Sequence, residues 1–367
     1  MTVTADRISV RELQDLMAAG QAVNIVDVRS PADVDWAIPG STRVDAYNAL
    51  KSRNIGPLAE LSFPPGRVVT VCGVGQTAAI ATRMLRARGV EASTLDGGMR
   101  AWSLAWNTAE VTIGGCDLVQ VRRTGKGCLS YIVASQGEAV VIDASVDPDV
   151  YGRVLAQRGW RLAAVFDTHI HADHFSRSRM LAKQNGVDFW LPAQDRTRYR
   201  FRPIREGDRI PFGLAVVNAL ATPGHTAEST TYLIDDAAAF TGDTLFLSGV
   251  GRPDLEGGPG ELASRARLLH DSVARLLELP DATLILPGHV SEPIAFDGRF
   301  LATTVGTIRE TVNLASMDQE AFVEAVLARI PAAAPPNHSV IVQLNERGEM
   351  PKDPSELEAG ANRCAVA

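Results

Sequence analysis

Residues 168–174 read THIHADH and directly follow the apolar run LAAVFD. Three histidines and an aspartate behind a buried strand must be solvated, paired or bound to a metal, so this run constrains the fold more than any other stretch. In an extended segment, residues two apart point to one side, so His169, His171 and Asp173 are expected to converge on one centre while His174 turns toward a neighbouring one. Imidazole and carboxylate together suit zinc, iron or manganese. Three further residues repeat the pattern. His225 in ATPGHT, Asp243 in AFTGDTLF and His289 in ILPGH each follow an apolar strand and sit in a turn. Five of the seven histidines lie in such places. The other two, His270 beside the apolar stripe of a helix and His338 in a loop, read as ordinary structural residues.

A chain of 367 residues exceeds one ordinary core, so two domains are expected. Hydrophobic residues make up 46% and charged residues 22%, a globular balance. The net charge of −7 argues against a nucleic-acid partner, which calls for a basic face. No apolar run approaches a membrane span, and the MTVTADRISV start lacks the charged lead and apolar block of a secretory signal, so a soluble, cytoplasmic protein is expected. Cys72, Cys116, Cys128 and Cys364 are too few and too scattered for a disulfide scaffold. The last three of them have no paired spacing and read as structural.

The pattern changes near residue 108. Upstream, SVRELQDLMAAG carries a capping box in Ser9 and Glu12 and reads as a helix; AVNIVDV and RVVTV read as strands, and TAAIATRMLRARG as a helix. Alternation of this size means a small parallel sheet. Downstream come consecutive short strands, DLVQVRR, LSYIVAS and AVVIDA, and then strands alternating with helices, among them one over residues 261–279. That mixture predicts an α/β sandwich with the sheets inside and the helices outside. The expected division is 1–108, 109–345 and a C-terminal tail, 346–367; the last stretch, residues 335–364, is Pro-rich, reads as loop and receives no chemistry.

Cys72 sits between the VVTV strand and a helix, in the loop CGVGQT. Backbone N–H groups of such a loop and the helix N-terminus favour a thiolate or persulfide anion there; a buried strand-end cysteine is the alternative. Residues 5–107 resemble a single rhodanese domain in IVDVRSPADVDWAIPGS, VCGVGQTAAIA and LDGGMRAW. The resemblance implies a sulfurtransferase in which Cys72 carries sulfur as a persulfide, cradled by Gly73, Val74, Gly75, Gln76 and Thr77. Two departures stand out. WAIPG replaces the usual GHIPG, and the loop lacks the basic residue of many thiosulfate-using members.

Residues 111–290 resemble the metallo-β-lactamase superfamily through the histidine and aspartate motifs above. All ligands of a two-metal hydrolase of the glyoxalase II type are present, so ligand spacing alone does not separate two-zinc thioester hydrolysis from one-iron oxidation. FTGDTLFLSGVGRPDL is more similar to the persulfide dioxygenases of the ethylmalonic-encephalopathy-protein branch. That branch implies one iron(II) per chain held by His169, His225 and Asp243, with His171, Asp173, His174 and His289 orienting these ligands or holding a second metal. It also implies Arg252 lining the substrate pocket and pairing with a glutathione carboxylate. GHVS stands where many members read GHDY, placing Ser291 at the position of a tyrosine. Together the two resemblances imply oxidation of glutathione persulfide, or a related small persulfide, by dioxygen to sulfite, coupled to sulfane-sulfur transfer, with small-molecule partners only and a homodimer allowed.

Overall fold

The computed structural model describes residues 6–30, 36–256, 258–330, 334, 337–360 and 362–366. Residues 1–5, residues 31–35 within the RSPADVDWAIPG stretch, and residues 361 and 367 of the tail lie outside the described residues.

The first sheet is wholly parallel, in the spatial order Arg7–Ile8, Ala92–Leu95, Arg67–Val71, Val23–Asp27, Thr42–Arg43. Its strands read as near-continuous apolar runs because helices cover both faces. Leu13 packs on one face with Ile25, Val69 and Trp102, and Ala78, Ala81 and Leu85 pack on the other with Val26 and Val68. The helix Val10–Ala18 starts where expected. Ser9 Oγ accepts from the Glu12 N–H, and Glu12 returns a bond to the Ser9 N–H.

Two larger sheets follow. The seven-stranded sheet runs Arg202–Ile204, Asp188–Pro192, Arg161–Phe166, Glu138–Ile142, Cys128–Ser135, Cys116–Arg123, Asn107–Ile113. The six-stranded sheet runs Arg209–Phe212, Ala215–Ala221, Thr230–Ile234, Ala238–Gly242, Leu284–Pro287, Thr303–Thr304. Leu118, Tyr131, Ile142 and Phe166 of the first meet Val217, Tyr232, Phe240 and Leu286 of the second in one core. The outer faces are covered by helices: Pro148–Arg158 and Ser178–Asn185 on the seven-stranded sheet, Leu262–Leu277 and Gln319–Arg329 on the six-stranded one. This is an αββα sandwich. No helix among the described residues is long and apolar enough to cross a membrane.

The turn between Cys116–Arg123 and Cys128–Ser135 is buried rather than solvated, because the N-terminal domain sits on it. Trp36 Nε1 donates to the Thr124 carbonyl at 3.0 Å, and Arg123 Nε donates to the Ser103 carbonyl at 2.7 Å. A Cβ on Gly125 would lie 1.8 Å from the Trp102 carbonyl oxygen. The tryptophan of WAIPG, which departs from the family pattern, therefore makes an interdomain contact.

The C-terminal stretch departs from expectation. It forms the helices His338–Arg347 and Ser355–Glu358 and the strand Ala365–Val366, which pairs antiparallel with Val250–Gly251. Few apolar side chains hold it; single buried polar anchors do, and a periodicity search does not register those.

Candidate metal centre

Each candidate ligand stands where a strand of the sandwich ends. Residues 167–174 leave the strand Arg161–Phe166 as a bent loop rather than an extended one. The two-apart rule therefore fails, and the run distributes its side chains among three groups. His169 joins His225 and Asp243; His171 joins Asp143 and Asp167; Asp173 and His174 join His289 and Cys128. Within each group the donor atoms lie within 4.8 Å of one another, and every member is buried.

The first group could hold a metal ion. Thr168 Oγ1 donates to Asp143 Oδ2 at 2.9 Å and so accepts from His169 Nδ1, also at 2.9 Å. His225 Nδ1 donates to the Arg252 carbonyl at 2.9 Å. Both bonds assign the proton to Nδ1 and leave Nε2 with its lone pair. Asp243 Oδ1 accepts from His289 Nδ1 at 2.6 Å, which leaves Oδ2 free, 3.9 Å from His169 Nε2 and 3.6 Å from His225 Nε2. These three inward atoms are buried and have no hydrogen-bond partner among the described residues. Orphaned buried polar atoms are costly, and three converging on one point fit a cation.

The electrostatics agree with that assignment. Burial and the neighbouring His171 push His169 well below its ordinary pKa, so it stays neutral. Burial opposes ionisation of Asp243, but the His289 charge and hydrogen bond outweigh it and hold the carboxyl below its usual range. His289 is likewise held well above its ordinary value, against burial, by Asp173 and Asp243. Two glycines let the loops close: a Cβ on Gly242 (φ +50°) would lie 2.4 Å from Thr168 Oγ1, and one on Gly288 2.7 Å from Asp243 Oδ1.

Of the other candidate ligands, Asp173 and His289 are fully bonded, His174 is bonded only through Nδ1, and neither ring nitrogen of His171 has a hydrogen-bond partner among the described residues. Asp173 accepts from His174 Nδ1 at 2.8 Å, from His289 Nε2 at 2.9 Å and from Asn362 Nδ2 at 2.9 Å. His171 Nε2 lies 3.2 Å from Asp143 Oδ1 without hydrogen-bond alignment, and His174 Nε2 has no partner among the described residues. Cys128, read from sequence as structural, places its thiol 3.4 Å from Asp173 Oδ2 and 3.9 Å from His174 Nδ1. Burial and Asp173 raise its pKa, yet His174 and His289 prevail and bring it to about 6. No short-range spacing signals Cys128, which starts a strand 45 residues before Asp173.

The tail, expected to carry no chemistry, braces the site. Asn345 Nδ2 donates to the carbonyls of His171 and His174 at 2.8 Å each. Glu358, wholly buried, accepts from the Phe175 N–H, Arg123 and Arg177. Arg252 is also placed differently from expectation. Its guanidinium is buried and binds Asp254 through Nε and Nη2, both at 2.7 Å, so it does not line the cleft; its carbonyl serves His225 instead. The cleft beside the centre, about 500 Å³, is lined by Phe246, Leu247, Ser248, His289, Ser291 and Arg299 among others.

In the N-terminal domain, Cys72 is buried at the end of Arg67–Val71, and the Ala78 N–H, one residue past the expected cradle, donates to its Sγ at 3.4 Å. Gly75, in the left-handed region at φ +86°, caps the helix Gln76–Arg86; Gly73, Val74 and Gln76 are exposed, and Thr77 is buried. The GGMRAW turn locks the loop from behind. Met99 N donates to the Cys72 carbonyl at 2.8 Å and Arg100 N to the Gly73 carbonyl at 3.0 Å.

Comparison with known proteins divides the chain in the same way. The rhodanese-like domain family matches residues 9–105, and the metallo-beta-lactamase superfamily matches residues 123–289. The chain joins one domain of each kind. A hydroxyacylglutathione hydrolase of Brucella anthropi is 38% identical over 154 residues, 40% of this chain and 56% of that protein. The match thus spans little more than half of that curated relative. The crystal structure of ETHE1 from Myxococcus xanthus superposes with a TM-score of 0.55 at 29% identity, covering 63% of this chain and 98% of that one. A metallo-beta-lactamase from Staphylococcus aureus gives a TM-score of 0.58 at 25% identity, over 65% and 74% of the two chains.

Proposed function

We propose that the sandwich domain is a persulfide dioxygenase using one iron(II), and that Cys72 of the rhodanese-like domain carries sulfane sulfur. One observation carries the reading: in the group His169, His225 and Asp243 each inward atom is buried without a partner, whereas in the group Cys128, Asp173, His174 and His289 most donors are bonded to one another. The resemblance of FTGDTLFLSGVGRPDL and the likeness to the ETHE1 structure support it. The reaction is persulfide plus dioxygen plus water giving thiol, sulfite and two protons. His169, His225 and Asp243 would hold the iron, which would supply activation of dioxygen and of the persulfide sulfur. The protein's own residues do the rest. Thr168 and the Arg252 carbonyl fix the tautomers of His169 and His225, and His289 keeps Asp243 ionised. Phe246 and Leu247 give the cleft an apolar wall.

A two-zinc thioester hydrolase is the second reading. It is favoured by the hydroxyacylglutathione hydrolase relatives and by the four-residue group Cys128, Asp173, His174 and His289. Metal analysis of protein purified without added metal separates the two. About one iron per chain and no turnover of lactoylglutathione is the expected result; two zinc ions with thioester hydrolysis would replace the oxidation reading.

A further inference from the structure

Trp36 opens WAIPG, where the usual pattern has glycine, and the turn it packs on leads to the metal centre. The residue is anchored on its own side. Asp27 and Arg29 form a buried ion pair at the end of the strand Val23–Asp27, and Arg29 Nη2 also donates to the Trp36 carbonyl at 2.6 Å. Across the domain boundary the indole N–H donates to the Thr124 carbonyl at 3.0 Å, and the ring reaches Gly127. Gly127 is held between two neighbours. At its φ of +97° a Cβ would lie 3.0 Å from Trp36 Cη2 and 2.5 Å from the Val290 carbonyl oxygen. The backbone of this turn is tied to the loop that follows Leu284–Pro287. The Val290 N–H donates to the Gly127 carbonyl at 3.0 Å, the Leu129 N–H donates to the Gly288 carbonyl at 2.7 Å, and Cys128 pairs with His289 in an antiparallel bridge. His289 thus stands between the two bonds, with Nδ1 donating to Asp243 at 2.6 Å and Nε2 to Asp173 at 2.9 Å.

We propose that Trp36 is a positioning residue of the metal centre: by packing on the Gly127 turn it sets where His289 meets Asp243, so that the N-terminal domain governs how firmly the sandwich domain holds its metal. The bond from His289 to Asp243 is short and charge-assisted, and such bonds weaken steeply when donor and acceptor lose alignment. Close-packed interiors transmit a displacement rather than absorb it. Deleting the indole would leave a cavity into which the Gly127 turn relaxes, drawing the His289 loop with it. The inference rests on His169, His225 and Asp243 holding a metal, and it is the same for iron and for zinc.

The test is chelator competition on the full-length protein, with the metal that stays bound measured by elemental analysis. Trp36→Ala should lower metal affinity about tenfold, the lower end of the range for a residue that orients a ligand, and Trp36→Phe, which keeps a ring on Gly127, should recover part of it. Because Trp36 acts through His289, the two changes should not add: His289→Ala should itself lower affinity, and joining Trp36→Ala to it should cost nothing further. Arg100→Ala removes exposed ion pairs to Asp353 and Glu356, a domain contact that does not include Gly127, and should leave affinity unchanged. Unchanged affinity in Trp36→Ala, a loss that adds in full to that of His289→Ala, or an equal loss in Arg100→Ala would overturn the proposal. The identity of the metal is read separately. Two zinc ions per chain with the Trp36 dependence intact would uphold this positioning and remove the one-iron reading, whereas wild type that binds no metal would remove both.

Discussion

Asp243 divides its oxygens between two tasks, Oδ1 on His289 and Oδ2 toward His169 and His225. It is the sole anion of the proposed iron face, so Asp243→Ala should abolish metal retention. Asp173 is bonded to His174, His289 and Asn362 and reaches Asp243 only through His289, so Asp173→Ala should weaken retention by about 10–100-fold, the range for a residue that orients a ligand. Iron content after dialysis against a chelator checks both; equal loss would instead favour a two-metal site. The candidate ligands stood out in the sequence because each follows an apolar strand. The grouping of the THIHADH side chains was not, because it depends on how the loop bends after Phe166. Arg252 was misplaced because sequence does not show that Asp254, two residues away, closes on its guanidinium.

At the scale of elements, the C-terminal stretch fastens the metal loop to the seven-stranded sheet. Glu358 is its central tie, with Arg123 from the strand Cys116–Arg123 on one side and Arg177 from the metal loop on the other. Burial would raise its pKa, but the two arginines outweigh this and hold it well below the usual carboxylate range. A carboxyl depressed in the folded state contributes stability in full above its unfolded pKa, about 4.3, and loses it as the pH falls through the folded value. The tie should therefore hold at neutral pH and open only under strong acid. Glu358→Gln should cost about 3–5 kcal/mol at pH 7, since it leaves two buried arginines uncompensated, and the difference from wild type should shrink under strong acid. Urea unfolding at both pH values checks this. A cost that does not depend on pH would mean that Glu358 acts by packing alone. The helix Val10–Ala18 and the strands Val23–Asp27, Arg67–Val71, Cys116–Arg123, Cys128–Ser135 and Glu138–Ile142 announced themselves by their capping or apolar pattern. This stretch did not, because Asn345, Glu358 and Asn362 act as isolated polar anchors.

For the whole molecule, the two folds were readable from the change of pattern near residue 108, but their contact was not. Trp36 reaches Thr124 across 88 positions, and nothing local marks either as an interface residue. Cys72 and the candidate metal ligands belong to different cores, so Cys72→Ser should abolish sulfur transfer while leaving iron content unchanged. The variant should keep most of its oxygen consumption with preformed glutathione persulfide, a substrate that needs no loading through Cys72. Loss of uptake with full iron would mean that Cys72 feeds the centre directly. The central claim is tested most directly by the stoichiometry of the wild-type reaction, followed with an oxygen electrode during addition of glutathione persulfide. The account predicts one dioxygen consumed and one sulfite released per persulfide, beyond the rate of an equal concentration of free iron. No oxygen uptake above that control by protein carrying its full metal complement would contradict it.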